Sequence, residues 1–349
     1  MSPTLKDIAD RAGVSISTVS RIINNDPNKR ASATTTKKVW KIIHEMNYKP
    51  NEAARMLIRG VRNKDESSRN AIGCILSASN DVFADPFFAE VIAGIHAEVA
   101  QKGYVMEYTF PISSTNAIQN SAFFNNLVTR NVGGAILLGR FSQELYDMLK
   151  NNIPRIVYCG LNYIDDDISQ VICDATRGIE LAVSYLIDLG HKRIGFIGET
   201  NRDHKLLNER RFHTFSKTIR SYGFNIKEKD IIEAQLVLGG GYQAVINQLD
   251  PHDHASAYVC ANDITAIGAM CAIQKKGISI PKDISLIGFD DIEMCQYVSP
   301  SLTTIHVDIK NMGFLSAHKL IDSIENEIPS AISSLPFELK QRESCSVYS

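Results

Sequence analysis

Beyond residue 70, short apolar runs alternate with amphipathic stretches along the chain. The apolar runs predict strands, and stretches with an apolar position at every third or fourth residue predict helices. The predicted strands are Ile72–Ser77, Tyr104–Phe110, Gly134–Leu138, Arg155–Cys159, Arg193–Gly198, Ile231–Val237, Ser256–Ala261 and Ser285–Phe289. The predicted helices include Phe87–Lys102, Thr176–Leu189, Arg211–Tyr222, Tyr242–Leu249 and Ile264–Lys276. This alternation indicates parallel sheets covered by helices, the α/β class.

Short strand segments recur later in the chain at a similar distance. The offsets are 122, 123 and 130 residues, and the pairs are Ile72–Ile75 with Ile194–Ile197, Gly134–Leu137 with Ala257–Cys260, and Ile156–Val157 with Leu286–Ile287. The repetition predicts two similar α/β lobes. Open parallel sheets bind ligands beyond the carboxyl ends of their strands, so two facing lobes predict a ligand cleft between them.

The N-terminal residues follow a different, all-helical pattern. Thr4 precedes a run of helical periodicity and can cap it, while Asp7 favours the helix N-terminus. Gly13 can take the positive φ of a tight turn, and Ser15 can cap the next helix. Helices are predicted from residue 16 to about 24 and from residue 33 to about 46. Two short helices joined by a glycine turn have the geometry of a helix-turn-helix, which places its second helix in the DNA major groove.

Charge is distributed unevenly along the 349 residues. The net charge of −2 combines +6 in residues 1–60 with −8 in the remainder. A basic head on an acidic body favours a polyanionic partner. Seven scattered cysteines without a CxxC pair fit a reducing cytoplasm. We find no secretory signal and no apolar run of the ~20 residues that span a membrane, so no membrane partner is expected.

Several motifs of the head resemble the LacI/GalR family of bacterial repressors. They are Thr4-Leu5-Lys6-Asp7-Ile8-Ala9, Ala12-Gly13-Val14-Ser15, Thr18-Val19-Ser20-Arg21 with Asn24, and Asn47-Tyr48-Lys49-Pro50-Asn51 with Ala54, Arg55 and Leu57. The resemblance extends over nearly the whole chain. It implies a helix-turn-helix domain over 1–49, a hinge helix and linker over 50–70, and a two-lobed, periplasmic-binding-protein-like effector-binding and dimerisation domain over 71–349.

The resemblance also implies which residues bind operator DNA. Ile16, Ser17 and Arg21 would face base edges, although Ile16 packing inside and Arg21 pairing with an acid are the alternatives. Leu57 would wedge into the minor groove beside the copy from the other protomer and kink the operator. The remaining residues assigned to DNA are Thr4, Ser15, Thr18, Ser20, Asn24, Asn51 and Ala54.

Effector binding is carried over to five positions in the same way. They are Asp85, Phe87, Arg211, Asn262 and Asp290. A carboxylate such as Asp290 can accept two hydroxyl hydrogen bonds, which suits a polyol. Phe88 is an alternative to Phe87, Asp263 is expected to cap the helix that follows it, and Arg210 is expected at the surface. Cys159 and Leu236 depart from the family pattern, where relatives often have an aspartate and an aromatic residue.

These observations predict a transcriptional repressor that binds a near-palindromic operator as a homodimer and responds to a mono- or disaccharide. No cofactor and no metal site is expected. An enzymatic function is not expected either, because the GxGxxG, GxxxxGK[ST], GxSxG and HExxH motifs are all missing. A solute-binding protein and a corepressor-dependent regulator with a nucleoside ligand are the alternatives. Gly239–Gly241 is interpreted as a flexible turn, and the lack of an apolar heptad tail predicts a dimer rather than a tetramer.

Overall fold

The computed structural model describes residues 4–24, 31–46, 70–77, 85–112, 132–326 and 328–348. The chain divides into two compact units, one containing the N-terminal helices and one containing two β-sheets. Each unit has its own apolar core. The second unit carries the cleft that the repeated strands predict.

Helices α1 (Leu5–Ala12), α2 (Ile16–Asn24) and α3 (Ala33–Glu45) form the N-terminal unit. The Asp7 amide donates to Thr4 Oγ1 at 3.3 Å and the Thr4 amide donates to Asp7 Oδ2 at 2.7 Å, which completes the predicted cap. Gly13, with φ of 68°, ends α1. The apolar faces of the three helices meet in a small core of Ile8, Ala9, Ala12, Val19, Ile22, Ile23, Val39, Ile42 and Ile43.

The first sheet of the body defines lobe 1. Its strands are β1 (Ala71–Ser77), β2 (Val105–Ile112), β3 (Gly134–Gly139), β4 (Ile156–Gly160), β5 (Ser169–Ile172) and β11 (Ile332–Ser334). These six strands lie in the order β11-β5-β4-β3-β1-β2. The helices of this lobe are α4 (Pro86–Gln101), α5 (Gln143–Asn152) and α10 (Ile309–Asn326).

The second sheet defines lobe 2. Its strands are β6 (Ile194–Gly198), β7 (Ile231–Glu233), β8 (Ala257–Cys260), β9 (Ser285–Asp290), β10 (Thr303–Val307) and β12 (Phe337–Lys340). They lie in the order β12-β10-β9-β8-β6-β7. The helices are α6 (Ala175–Asp188), α7 (Arg211–Ser221), α8 (Leu238–Gln248) and α9 (Asp263–Lys275).

The two sheets have equivalent topologies, which confirms the predicted fold class. Ile72 pairs with Gly134 in lobe 1, and Ile194 pairs with Ala257 in lobe 2. The recurring segments are therefore the central strands of the two lobes. The sheet of lobe 2 is not wholly parallel, however, because β12 runs antiparallel to β10.

The chain passes between the lobes three times. It crosses from lobe 1 to lobe 2 after β5, returns after β10 to form α10 and β11, and crosses again to place β12 in lobe 2. The sequence pattern did not predict this exchange, and it did not predict the elements α5, β5, β10, α10, β11 and β12. Neither lobe is therefore a continuous stretch of chain.

Two element predictions are wrong in their boundaries. Helix α8 begins at Leu238 rather than Tyr242, so the three glycines are helical and not a flexible turn. A Cβ on Gly240 or Gly241 would overlap the main chain of Gln235 or Thr265, so these glycines allow close packing. Strand β7 ends at Glu233, because its partner β6 ends at Gly198, the residue paired with Glu233.

Helices α4 and α10 of lobe 1 pack closely where each carries a glycine. A Cβ on Gly94 would overlap the carbonyl oxygen of Lys310, and a Cβ on Gly313 would overlap that of Val91. The missing side chains thus let the two helical backbones touch. The same helix α4 begins at the cleft, where Asp85 is its N-cap and Phe87 lies in its first turn.

Candidate functional site

The predicted effector residues meet in one cleft between the lobes, at the carboxyl ends of the strands. Asp85, Phe87, Arg211, Asn262 and Asp290 all line it. Sequence reasoning missed most of the other lining residues, which include Arg140, Tyr158, Asn162, Asn208 and Glu209. The cleft therefore lies where open parallel sheets place their ligands.

Arg211 lies at the start of α7 and is buried in the cleft wall. Its Nε donates to Glu209 Oε1 at 2.9 Å and its Nη1 donates to the carbonyl of Ala261 at 2.7 Å. Burial works against both charges, yet the guanidinium outweighs it and lowers the pKa of Glu209, while Glu209 raises the pKa of Arg211. The pair is thus ionised and its charges cancel.

A second arginine enters the same network from lobe 1. Arg140, just after β3, forms an ion pair with Glu199 and lies 3.7 Å from Glu209. Both guanidinium groups that line the cleft therefore have carboxylate partners. Arg210, expected at the surface, stacks on the Tyr163 ring with its guanidinium carbon 4.3 Å from the ring centroid.

Asp290, at the end of β9, is buried and strained. Its φ is 115°, a left-handed value that non-glycine residues rarely adopt. Its Oδ1 is buried and accepts no hydrogen bond from the residues that the structure describes. Burial, followed by the nearby carboxyl groups of Asp263 and Asp85, raises the pKa of Asp290 well above its ordinary value.

The turn after Asp290 is held by two further carboxylates. Asp263 Oδ2 accepts from the Ile292 amide at 3.0 Å, and Asp291 accepts from Arg342 Nη2 at 2.6 Å. His306 Nδ1 lies 2.9 Å from Asp291 as well. These contacts secure the backbone on which the Asp290 carboxyl group is presented.

The expectation that Asp263 caps α9 is wrong. The cap is Asn262, whose Oδ1 accepts from the Thr265 amide at 3.2 Å. Asp263 is the first helical residue and turns inward, where its Oδ1 accepts from Thr304 Oγ1 at 2.6 Å. Burial raises the pKa of Asp263 to about 7. Asn262 therefore lines the cleft while it caps α9.

The start of α4 contributes an acid and two aromatic rings to the cleft. Asp85 caps the helix through a 3.0 Å hydrogen bond from the Phe87 amide, and burial raises the pKa of its carboxyl group. Phe87 and Phe88 both line the cleft and contact each other edge to face, with centroids 5.3 Å apart. The alternatives proposed for these two rings therefore occur together.

The two departures from the family pattern differ in their placement. Leu236 lines the cleft, as its position in the sequence predicted. Cys159 is completely buried in β4, and burial raises the pKa of its thiol to about 12. Leu236 therefore presents an aliphatic surface to a ligand, and Cys159 is part of the core.

The head presents a polar surface on α2. Ser15 Oγ accepts from the Thr18 amide at 3.1 Å and lies 2.8 Å from Ser17 Oγ, so Ser15 caps the helix. Arg21 Nε donates to the Ser17 carbonyl at 3.0 Å, and within the described part of the head this guanidinium pairs with no acid. Ile16 is 47% exposed, so it does not pack inside.

The structure describes only some of the other predicted DNA-binding residues. Thr4 is exposed and engaged in the cap of α1, and Ser20 is half-buried. Asn24 is the last residue of α2, and its side chain lies outside the part of the chain that the structure describes. Asn51, Ala54 and Leu57 lie outside the described residues, as does the whole predicted hinge helix.

The described residues also concern the expectations about a membrane span and a metal site. Every helix among the described residues is too short or too polar to cross a lipid bilayer. Within the same residues no group of three or more His, Cys, Asp or Glu side chains could hold a metal ion. The cleft is thus built from carboxylates, amides, guanidinium groups and aromatic rings.

Comparisons with known proteins agree with this architecture. Residues 4–51 match the model for bacterial regulatory proteins of the lacI family, and residues 183–345 match a periplasmic binding protein-like domain. The HTH-type transcriptional repressor PurR of Proteus mirabilis is 31% identical over 93% of this chain and 91% of its own.

Solved structures show the same similarity. The lac repressor dimer bound to operator and the anti-inducer ONPF is 25% identical, with a TM-score of 0.68 over 99% of this chain and 100% of that one. A LacI family regulator from Enterococcus faecium with bound ribose is 26% identical, with a TM-score of 0.65 over 80% of this chain and 100% of that one.

Proposed function

Since the chain belongs to the lacI family of bacterial regulatory proteins, we propose that it is a transcriptional repressor controlled by a small ligand in the cleft. The head would bind an operator through α2, with Ile16, Ser17 and Arg21 at base edges. Thr4, Ser15, Thr18, Ser20 and Asn24 would contact the DNA backbone. Asn51, Ala54 and Leu57 would act in the minor groove.

The ligand we propose is a neutral sugar, a mono- or disaccharide. The observation that carries this proposal is the buried Asp290 Oδ1, which lacks a hydrogen-bond donor among the described residues. A sugar hydroxyl is such a donor. Arg140 and Arg211 are already paired with carboxylates, so the cleft favours a neutral ligand over an anion. The bound ribose of the related regulator from Enterococcus faecium supports the same class.

A nucleoside acting as a corepressor is the second candidate. The Phe87 and Phe88 rings at the start of α4 favour it, because an aromatic face can stack on a base. Leu236 supports a nucleoside less than the aromatic residue that relatives often have at this position, because an aliphatic side chain offers no ring for a base to stack on. The two candidates predict opposite effects of the ligand on operator affinity.

The mechanism we propose is a two-state coupling between the lobes and the DNA. A sugar would bind one arrangement of the lobes better and separate the two hinge helices of a homodimer, which weakens operator binding. The size of the effect equals the ligand's differential affinity for the two arrangements. A corepressor would use the same cleft with the opposite sign.

Fluorescence anisotropy of a labelled duplex from the region upstream of the gene tests this proposal. Protein is titrated at 50 and about 200 mM salt, because neutralised phosphates make affinity fall steeply with salt. A panel of galactosides, glucosides, ribose and nucleosides is then added. Release by one sugar supports an inducible repressor, and tighter binding with a nucleoside supports the second candidate. Salt-insensitive binding, or none to any upstream duplex, would favour the solute-binding alternative.

A further inference from the structure

A segment of lobe 2 reaches across to lobe 1 beside the cleft. We call residues 199–210, between β6 and α7, the cross-lobe strap. The Leu207 amide donates to the Phe141 carbonyl at 2.9 Å, and the Phe141 amide donates to Asn208 Oδ1 at 3.2 Å. Phe141 follows β3 of lobe 1. The strap therefore pairs with the backbone of the opposite lobe.

Asn208 is the residue on which these contacts converge. Its Nδ2 donates to the Gly139 carbonyl at 2.8 Å and also contacts the Tyr158 hydroxyl. The main-chain carbonyl of Asn208 accepts from Asn162 Nδ2 at 3.1 Å. Each of these partners belongs to lobe 1, and Asn208 is only 4% exposed. A buried amide that satisfies its hydrogen bonds wholly on the other lobe is costly to withdraw.

The strap also connects to the charged network of the cleft. Glu209, the next residue, holds Arg211 and lies 3.7 Å from Arg140 of lobe 1. A displacement of Asn208 would move Glu209 and thereby the guanidinium that lines the cleft. The three chain crossings between the lobes are covalent, whereas the strap is held by contacts that can open.

We propose that Asn208 is a positioning residue, which pins the cross-lobe strap to lobe 1 and so holds the lobes closed and Arg211 in place before any ligand binds. The inference rests on the proposed function only for its consequence, namely that closure sets ligand affinity. The free protein would then occupy the closed arrangement, and a ligand would enter by opening of the strap.

Hydrogen exchange of the full chain, followed by mass spectrometry without ligand or DNA, tests the pinning. In Asn208→Ala we expect protection of the Phe141 and Leu207 amides to fall about tenfold, as on loss of roughly one hydrogen bond. The central strands of both lobes should keep their protection. Lys205→Ala is the matched control, because Lys205 lies in the same strap and its partner among the described residues is the nearby Asp203. Unchanged protection in Asn208→Ala would overturn the proposal.

Asn208→Asp keeps the test decisive should the alanine variant unfold. The carboxylate can still accept from Phe141 but cannot donate to Gly139, whereas the protonated acid can. We expect strap protection factors close to those of the wild type at pH 5 and about tenfold lower at pH 8. The charged groups near Asn208 are Arg140, Glu199, Glu209 and Arg211, and Tyr158 is a neutral titratable neighbour. Wild-type protein measured over the same pH series controls for all of them. A variant whose strap protection does not depend on pH would contradict the role of the amide donor.

Small-angle scattering of the same variants measures the separation of the lobes. Asn208→Ala should give a larger radius of gyration than wild type and Lys205→Ala, and equal values would refute closure by Asn208. These experiments need neither sugar nor operator. Their failure would leave the repressor proposal untouched, and failure of the anisotropy experiment would leave the strap result standing.

Discussion

Arg211 Nε lies 2.9 Å from Glu209 Oε1, and both side chains are at least nine-tenths buried. Removing one member of a buried ion pair leaves an uncompensated charge, which is far more costly than the pair itself. The stability of the body therefore depends on Arg211, which is also a residue that we propose for ligand binding.

Glu209→Gln should lower the free energy of unfolding by about 3 kcal/mol, because Arg211 would stay charged without a carboxylate. Urea unfolding of the full chain measures the loss. Glu228→Gln is the matched control, since Glu228 pairs with Arg202 at the surface and its loss should cost under about 1 kcal/mol. Equal losses in the two variants would contradict the neutralised, buried state of Arg211.

Asp290→Asn should weaken ligand binding and raise the free energy of unfolding at pH 8. The raised pKa of Asp290 means that its protonated form stabilises the fold, and this stabilisation is lost as pH rises from the ordinary value of 3.8 through the folded value. For the neighbouring Asp263 that loss extends to about pH 7. The variant should therefore unfold at higher urea than wild type at pH 8 and show a flatter pH dependence.

Urea midpoints between pH 5 and 8 test this sign. Asp253→Asn is the control, because the Lys229 ammonium, followed by the Arg193 guanidinium, lowers the pKa of Asp253 to about 2. The stabilising effect of Asp253 is lost only as pH falls from 3.8 to about 2. The dependence of the urea midpoint on pH between 5 and 8 should therefore match that of wild type. An unchanged slope in Asp290→Asn would show that the carboxyl group is ionised in the fold at no cost, and would contradict the prediction.

Ile16→Ala should weaken operator binding about tenfold and leave the head stable, since Ile16 is 47% exposed on α2. Val19→Ala is the contrast, because Val19 is completely buried and its truncation should cost about 2 kcal/mol. Trp40, the single tryptophan of the chain, packs against the core of the head and reports its unfolding. The prediction fails if Ile16→Ala shifts the Trp40 transition as far as Val19→Ala does.

Gly94→Ala should destabilise lobe 1 by about 2 kcal/mol, because the new Cβ meets the backbone of α10 and forces two packed helices apart. Gly239→Ala offers a matched helical glycine with nothing within 4 Å of the added carbon. That change should be neutral or stabilise the fold by up to about 1 kcal/mol, as alanine favours a helix. Calorimetry of both variants distinguishes close packing from helix propensity.

Local rules predicted much of this molecule. The Thr4 cap, the Gly13 turn and the central strands follow from neighbouring residues, so the pattern of Ile72–Ser77 is enough to place β1. The exchange of α10 and β12 between the lobes is different, since it depends on which sheet edge is open when the chain returns. No short window of sequence contains that information.

The candidate site divides in the same way. Asp290 and Arg211 were found because family motifs mark them, whereas Asn208 and Arg140 act through partners far along the chain. Asn208 meets Gly139 across 69 residues, and Arg140 meets Glu199 across 59. The one local signal was the placement of Glu209 two residues before Arg211, which is too common a spacing to identify a buried pair.

The last crossing between the lobes brings a segment that lies far along the chain to the edge of the cleft. Strand β12 delivers Arg342 to Asp291, beside the strained Asp290. Loss of β12 and the residues after it would thus spare the head and the sheet of lobe 1, yet disturb the turn that presents Asp290. Under the proposed function, we expect such a truncated protein to keep its operator affinity and to lose the effect of the ligand on that affinity.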